Sequence, residues 1–567
     1  MFSNLPTSIH DFMRASWNDI EPFYGDLQNR RISAQSVTEF LADWTRLADL
    51  VGETHSRLNV ATTVNTTDKD AEQRLFAFLE NIRPRAQSAD QKLKQKFLES
   101  GLEPTNFEIP TRNLRSDAEL FREKNLPLLT QESKLETEYD KIIGAQTVMW
   151  EGAEITVSRL RPVYQDADRA KRARAWQVAI ARQMQDRAAL NALWQKFLAL
   201  RRDIATNADQ RDYRAWKWQQ LLRFDYTPDN CKQFHAAIER AVVPAATRVY
   251  EKRRAALGLK SLRPWDLQVD PLNRPPLRPF ANDAEMQKKT AKIFQRVDPQ
   301  LGEYFEIMRR EHLLDLDNRK GKAPGGYCTG FAHSKRPFIF ANAVGLHGDV
   351  QTLLHEAGHA FHNFERNALP YHQQRRVTSE FSEVASMGME LLASPYLSGD
   401  GDAFYNDQDA ARARADELEK IILFWPYMAV VDAFQHWVYE NPDDALDANR
   451  CDEKWAEQWD RFMRGFDWSG MEEEKKTGWH RKLHIFQVPF YYVEYWLAQL
   501  GAVQVWANAL QDQARAVKNY RAALALGGTR SIPELFRAAG ATFAFDAETL
   551  GSAVTLIESQ IEKLEKI

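Results

Sequence analysis

The chain contains the pentapeptide His355-Glu356-Ala357-Gly358-His359, in which two histidines stand four residues apart and a glutamate follows the first. On an α-helix, residues four apart lie about 40° apart around the axis and one turn apart along it, so both imidazoles can reach one ion. The pattern therefore predicts a helix that carries a metal ion on one face. Glu356, beside the first histidine, can then act on a water molecule at that ion.

A third metal ligand is expected downstream, because a catalytic zinc ion takes three protein ligands and leaves one position open. The segment Ser379-Glu380-Phe381-Ser382-Glu383 follows after enough residues for a turn and a second, antiparallel helix. Glu380 and Glu383 are three residues apart and share a helix face, so spacing alone leaves either one as the ligand. The other would then support a ligating imidazole through a hydrogen bond.

Two more residues of the predicted metal helix indicate what lies around it. His362 shares the face of His355 and His359, but it lies about 10.5 Å from His355 along the axis, too far to share one ion comfortably. We expect it to line the site. Gly358 in the helix interior costs about 1 kcal/mol relative to alanine, which predicts that another backbone packs closely against it.

Further segments around this pattern carry a resemblance to a known family. They are Gly325-Gly326-Tyr327-Cys328-Thr329, Pro337-Phe338-Ile339-Phe340-Ala341-Asn342, and Asp349-Val350 leading into the two predicted helices. Over about residues 260 to 510, the chain resembles the thimet oligopeptidase family of zinc metallopeptidases, in particular its oligoendopeptidase F branch. The resemblance implies that His355, His359 and Glu383 bind one Zn²⁺ per chain. It also implies that Glu356 is the general base and acid, and it leaves Glu380 as the supporting residue.

A second group of candidate residues lies near the C-terminal end of this region. The segment from Arg481 to Trp496 offers four side chains that can donate a hydrogen bond, His484, Tyr491, Tyr492 and Tyr495. By composition alone the segment is an aromatic core helix with a capping histidine. Peptide hydrolysis, however, develops an oxyanion that donors must stabilise. The resemblance implies that His484, Tyr492 and Tyr495 stabilise the oxyanion, with Tyr495 as the first choice. This chain departs from the thimet-type pattern in one respect, because Gln487-Val488-Pro489 replaces its Gly-rich loop.

The best strand prediction in the chain is the stretch from Arg336 to Val344. Gly325-Gly326 before it permits a close approach of backbone that a Cβ would block. A structural strand is the simpler interpretation in isolation, but an exposed strand beside a metal helix predicts that an extended peptide docks by main-chain hydrogen bonds. We expect substrate contacts from Gly325, Gly326, Tyr327, Phe340 and Ala341.

Composition limits the classes of protein to which the chain can belong. At 567 residues it is long enough for two or more units with their own cores. We predict an N-terminal helical domain over residues 1–175 and a zinc metallopeptidase domain over residues 176–567. The net charge of −4 argues against nucleic acid as the main partner. Oligomeric state is not predicted by the sequence.

The sequence also bears on the compartment. Residues 1–20 have no apolar segment of the signal-peptide type, and no window approaches 18 uninterrupted apolar residues. Three cysteines, far apart and without paired spacing, imply no disulfide framework. We therefore expect a cytoplasmic protein with no membrane partner.

Together these features predict a mainly α protein, which the family resemblance expands to a two-part helical body around a deep substrate channel, with a small β-sheet beside the metal helix. The predicted function is that of a zinc-dependent oligoendopeptidase, which hydrolyses internal bonds of short unstructured peptides by a zinc-activated water with Glu356 as general base. One alternative is a helical metallocarboxypeptidase, which needs a cationic group to hold a free carboxylate. Another is a peptide-binding module without catalysis, although binding alone has no need of Glu356.

Overall fold

The computed structural model describes residues 1–319, 321–323, 325–399 and 403–567. Helices make up 69% of the chain and strands 5%, so the predicted mainly α class is confirmed. The chain forms two compact units, each assembled from three stretches. The first comprises Met1–Glu119, Leu277–Ala413 and Ala498–Phe543, and the second comprises Leu120–Pro276, Arg414–Leu497 and Ala544–Ile567. The domain boundary after residue 175 stays a prediction.

Long helices and a few short strands follow one another along the chain. The first α-helices of the described residues are α1 (Ile9–Phe12), α2 (Trp17–Asn29), α3 (Val37–Val64), α4 (Lys69–Asn81), α5 (Arg83–Glu99), α6 (Glu108–Leu120), α7 (Leu126–Gly144), α8 (Arg169–Met184), α9 (Arg187–Asn207), α10 (Tyr213–Gln220), α11 (Pro228–Ala241) and α12 (Val243–Ala256). The others are α13 (Asp283–Val297), α14 (Pro299–Arg310), α15 (His347–Arg366), α16 (Ser379–Ala393), α17 (Asp407–Glu440), α18 (Ala448–Phe462), α19 (Glu472–Lys476), α20 (Leu483–Phe486), α21 (Tyr492–Ala509), α22 (Gln513–Ala525), α23 (Ile532–Ala538) and α24 (Ala547–Leu564). The strands are β1 (Thr147–Trp150), β2 (Ala153–Thr156), β3 (Leu314–Asp317), β4 (Tyr327–Phe331) and β5 (Arg336–Ala343).

Helix α15 contains both histidines of the metal-binding pattern and packs against α16 in the core of the first unit. At its start, the Asp349 carboxylate accepts hydrogen bonds from the N–H groups of Val344 and Leu346, each at 2.8 Å. A carboxylate at this position caps free N–H groups and faces the positive end of the helix dipole. The two helices predicted to hold the metal ligands are thus confirmed.

Gly358 lies where α15 and α16 come closest. A Cβ on Gly358 would lie 2.5 Å from the carbonyl oxygen of Ala385 and 2.6 Å from Cα of Ser386. Both are backbone atoms, so they cannot yield without moving α16. The predicted close packing of another backbone against Gly358 is confirmed.

Gly358→Ala is therefore expected to destabilise the protein by about 1 to 3 kcal/mol, because overpacking at a backbone contact forces two helices apart. The measurement is the free energy of unfolding in urea. Gly52→Ala is the matched control, since Gly52 is inside α3 and a Cβ there meets nothing within 4 Å. That control should gain up to about 1 kcal/mol from helix propensity. Equal shifts in the two variants would contradict the close packing.

The small sheet of the first unit has the strand order β3-β5-β4. Strand β5 pairs in parallel with β3 and antiparallel with β4, in the register Tyr327↔Phe340 and Phe331↔Arg336. The prediction of a strand over Arg336 to Val344 is confirmed, but the prediction that it is exposed was wrong. Both edges of β5 are occupied by neighbours, and its side chains are mostly buried. An edge that can pair with a peptide belongs to an outer strand.

The second unit is built from helices and the β1–β2 hairpin. The hairpin turns through Glu151 and Gly152, both with positive φ, as tight hairpin turns require. The C-terminal helix α24 buries Val554, Ile557 and Ile561 and packs against α11. The apolar face of this helix, visible in the sequence, therefore packs on the body of the protein.

Helix α17 is long and apolar enough, by length and composition alone, to cross a membrane. Its apolar window is 72% buried inside the protein. Burial of this extent is typical of a core helix, because a membrane-spanning helix would present much of this surface to lipid. We interpret α17 as a core helix.

Candidate metal centre and catalytic residues

The three predicted metal ligands lie together in the first unit. His355 and His359 extend from α15, and Glu383 extends from α16. Oε2 of Glu383 lies 3.4 Å from Nε2 of His355 and 3.7 Å from Nε2 of His359. Ligand atoms at about 2.1 Å from a tetrahedral zinc ion are about 3.4 Å from one another. The donor set of two imidazoles and one carboxylate therefore fits a single ion of this size.

Each histidine also has a partner for its other ring nitrogen. Nδ1 of His355 lies 2.5 Å from Oε1 of Glu390, and the His359 ring donates to the backbone carbonyl of Ser382. Metal-binding histidines ordinarily donate this second N–H to a carboxylate or carbonyl, which leaves the opposite nitrogen for the metal. The arrangement therefore has the supporting contacts of a metal site as well as the ligands.

Glu390 is a candidate supporting residue that was not predicted from the sequence. It lies two turns beyond Glu383 on α16, on the same face, and this spacing could have indicated it. Glu380, for which we predicted the supporting role, is buried on α16, and its role stays a prediction. His362 lies outside the group of ligands, and its ring packs edge-on against Phe381 with the centroids 6.0 Å apart.

Glu390→Gln is expected to lower metal affinity by about 10- to 100-fold, because the supporting carboxylate orients the His355 ring and makes it more basic. Competition with a chromophoric chelator measures this loss. Glu303→Gln is the control, since Glu303 is an exposed glutamate of the same unit. If Glu390→Gln and Glu303→Gln bind metal equally well, Glu390 has no part in the site.

The charges of the three ligands suit metal binding. Burial opposes the charge of Glu383, but hydrogen bonds from His355 and Ser386 and the nearby imidazoles lower its pKa to about 2. Burial lowers the pKa of His359 to about 4, so this ring is neutral at pH 7. Burial acts in the same direction on His355, but hydrogen bonds to Glu383 and Glu390 outweigh it and raise the pKa well above the usual range. A metal ion bound there would displace this proton.

Glu356 has the properties of a group that exchanges protons near neutral pH. The residue is 8% exposed, and its carboxylate accepts a hydrogen bond from the backbone N–H of Cys328 on β4. Burial raises its pKa to about 7, and the charges of Glu383 and Glu390 contribute, whereas His355 acts in the opposite direction. A carboxyl group with a pKa near 7 can both accept and release a proton at that pH.

The predicted substrate-contact residues lie in and beside β4 and β5. Gly325 has a φ of +93°, a region that favours glycine, and a Cβ on Gly326 would lie 3.3 Å from Thr352 of α15. The ring of Tyr327 stacks on that of Phe340 with the centroids 4.9 Å apart. Phe340 is fully buried and Ala341 is nearly so. Their side chains belong to the sheet interior, and substrate contact by these five residues stays a prediction.

The aromatic group lies in the second unit, around the His484 ring. The centroid of this ring is 5.7 Å from that of Tyr491, 5.0 Å from that of Tyr492 and 6.2 Å from that of Tyr495. Tyr492 is buried, whereas Tyr491 and Tyr495 are half-buried. The structure therefore brings together the predicted His484, Tyr492 and Tyr495, and it adds Tyr491. Burial and the charge of Lys482 lower the pKa of His484 to about 4, so this ring is neutral at pH 7.

A second group of ligand-type atoms occurs in the second unit, at Cys231, Asp432 and His436. A guanidinium N–H of Arg214 lies 3.2 Å from Nδ1 of His436. Because a guanidinium only donates, Nδ1 accepts and the ring hydrogen is on Nε2, which faces Asp432 at 3.4 Å. Nε2 of His235 lies 2.7 Å from the same carboxylate oxygen. We interpret this group as a buried polar cluster around the hydrogen bond between His235 and Asp432, since metal ligation through Nε2 of His436 would need this nitrogen free of hydrogen.

Comparison with known proteins identifies the family of this chain. The model of "Peptidase family M3" matches residues 163–553, more than half of the chain. The chain belongs to peptidase family M3. The resemblance to the thimet oligopeptidase family and its oligoendopeptidase F branch is thus confirmed, and the family match begins well before residue 260, where the resemblance in the sequence became recognisable.

Several similar proteins have names of peptidases. An oligoendopeptidase F homolog of Borreliella burgdorferi is 22% identical over 57% of this chain and 54% of its own length. The oligopeptidase PepF of Bacillus subtilis is 23% identical over 57% of this chain and 47% of its own. The matched regions thus span about half of these relatives. The solved structure of Pz peptidase A with an inhibitor covers 99% of both chains, with a TM-score of 0.88 and 26% identity.

Proposed function

We propose that this protein is a zinc-dependent oligoendopeptidase that hydrolyses internal bonds of short, unstructured peptides. The observation that carries the proposal is the group of His355, His359 and Glu383, whose ligand atoms fit one zinc ion. Glu356, with a pKa of about 7, follows the first ligand directly. Membership of peptidase family M3 and similarity to proteins named oligopeptidase and oligoendopeptidase support the substrate class.

Zinc is the metal that best suits two imidazoles and one carboxylate, although such sites also accept manganese or cobalt. A bound zinc ion would supply Lewis acidity, which makes water more acidic and polarises a peptide carbonyl. Glu356 accepts the proton of the attacking water and then delivers it to the leaving amine. Its carboxylate is buried directly beside the first candidate ligand, a position that suits both steps.

Strand β4 supports an extended mode of peptide binding. It lies at an outer position of the sheet, and the N–H of Cys328 reaches Glu356. We propose that a substrate strand adds to this edge by main-chain hydrogen bonds, in the manner of other edge-strand complexes. A peptide that took over the Cys328 N–H would have its own backbone beside Glu356. We also propose that Tyr495, with His484 and Tyr492, donates hydrogen bonds to the oxyanion.

The test is cleavage of an internally quenched peptide of about ten residues, blocked at both ends, with and without a chelator and with zinc added back. Chelator-sensitive cleavage at an internal bond, restored by zinc, is the expected result. Cleavage only after the C-terminal block is removed would instead favour the metallocarboxypeptidase. Bound zinc without hydrolysis of any peptide would favour a binding module. The cytoplasmic location and one zinc ion per chain stay predictions.

A further inference from the structure

Lys482 of the second unit has a charge that its surroundings do not balance. It directly precedes α20 and stands two residues before His484. Burial alone lowers the pKa of its ammonium group, to about 8, with no compensating effect from an acidic group of the described residues. Two fully buried arginines of this unit are each paired with an acid, Arg223 with Glu494 at 2.6 Å and Arg201 with Glu132 at 2.8 Å. Lys482 differs from them in this respect.

Two tyrosine rings hold the ammonium group in place. Nζ of Lys482 lies 5.2 Å from the ring centroid of Tyr427 and 5.0 Å from that of Tyr492. Aromatic faces attract a cation at this distance, but they are poor acceptors for its three N–H donors. A partly desolvated ammonium group with unused donors is costly unless an anion pairs with it. The two rings thus position a donor group for an acceptor that a ligand can supply.

Lys482 lies beside the aromatic group of His484 and Tyr492. The ring of Tyr492 contacts both the Lys482 ammonium group and the His484 ring, whose centroid lies 5.0 Å away. The charge of Lys482 also contributes to the low pKa of His484. An anion bound at Lys482 would therefore lie within the aromatic group to which the oxyanion role is assigned.

We infer that Lys482 binds a carboxylate of the peptide substrate and so selects peptides that carry one. This inference rests on the proposed peptidase function and specifies its substrates. The carboxylate comes either from the C-terminus or from an aspartate or glutamate side chain, since both present the same acceptor atoms. A single charge-assisted hydrogen bond of this kind corresponds to a preference of about tenfold.

The experiment uses four quenched peptides of one sequence with blocked N-termini. Two differ only in a free or amidated C-terminus, and two amidated peptides differ only in glutamate or glutamine on the C-terminal side of the cleaved bond. For wild type we expect KM to be about tenfold lower for the carboxylate member of at least one pair. In Lys482→Gln the ratio of the two KM values should fall to about one, whereas Lys482→Arg should retain most of it. The affected pair identifies the source of the carboxylate.

Lys476→Gln is the control, because Lys476 is a lysine of the same unit that already pairs with Glu473, and it should retain the wild-type ratio. Three outcomes would overturn the inference: no carboxylate preference in wild type, a ratio that survives in Lys482→Gln, or a loss confined to kcat on every peptide. Failure of wild type to cleave any of the four peptides would count against the proposed function instead. In that case, peptide affinity measured by fluorescence anisotropy in wild type and Lys482→Gln still tests the carboxylate site.

Discussion

Glu356→Gln is expected to lower kcat by about a hundred- to ten-thousandfold while the protein keeps its metal ion. Glutamine has nearly the same shape, but it cannot accept the proton of the attacking water or return it to the leaving amine. We do not expect this residue to be a ligand, because the group of candidate ligands that lie together consists of His355, His359 and Glu383. The measurements are kcat on a blocked quenched peptide and metal content by elemental analysis of the same preparation.

The control for this substitution is Glu303→Gln, which makes the same chemical change at an exposed position of the first unit. It should retain wild-type kcat and metal content. The assignment of Glu356 as the base fails if Glu356→Gln turns over peptide at a rate near that of wild type. A Glu356→Gln protein without metal would point to a role in the structure of the site instead of a role in proton transfer.

Glu383→Gln is expected to remove both the metal and the activity. Glu383 supplies the negative charge of the ligand set, and its pKa of about 2 means that it is ionised throughout the neutral range. Its amide would keep the size of the side chain but lose the anionic oxygen between His355 and His359. Metal affinity should fall by more than the about 10- to 100-fold expected of Glu390→Gln, which changes only a supporting contact.

The pair of substitutions separates ligation from proton transfer. Glu383→Gln should regain part of its activity at high zinc concentration, because mass action can refill a weakened site. Glu356→Gln should not respond to added zinc. If Glu383→Gln retained stoichiometric metal after dialysis against a chelator, Glu383 would not be the third ligand, and Glu380 would be the next residue to test.

The candidate metal site could be predicted largely from local sequence. His355, Glu356 and His359 depend on helix periodicity alone, and the structure has them on one helix. The choice of Glu383 over Glu380 needed the family resemblance, because both share a face of the second helix. Glu390 was not predicted, because its role depends on how α16 packs against α15, and the close contact at Gly358 sets that packing.

For the strand over Arg336 to Val344, the sequence predicted the strand itself but not its place in the sheet. Its residues were sufficient to predict a strand, since β-propensity is read along the chain. Whether a strand lies at an edge or at the centre depends on which other segments pair with it. Here β3 and β4 pair with the two sides of β5. A peptide could therefore pair only with an outer strand of this sheet, such as β4.

The sequence by itself predicted the helical class, the candidate metal ligands on α15 and α16, Glu356 as the candidate general base and the membership of a peptidase family. These features follow from spacings of three and four residues within single helices or from motifs of adjacent residues. Only the tertiary structure decided the raised pKa of Glu356, the partner of His355 and the two tyrosine rings at Lys482. Burial and contacts between different segments of the chain produce these properties.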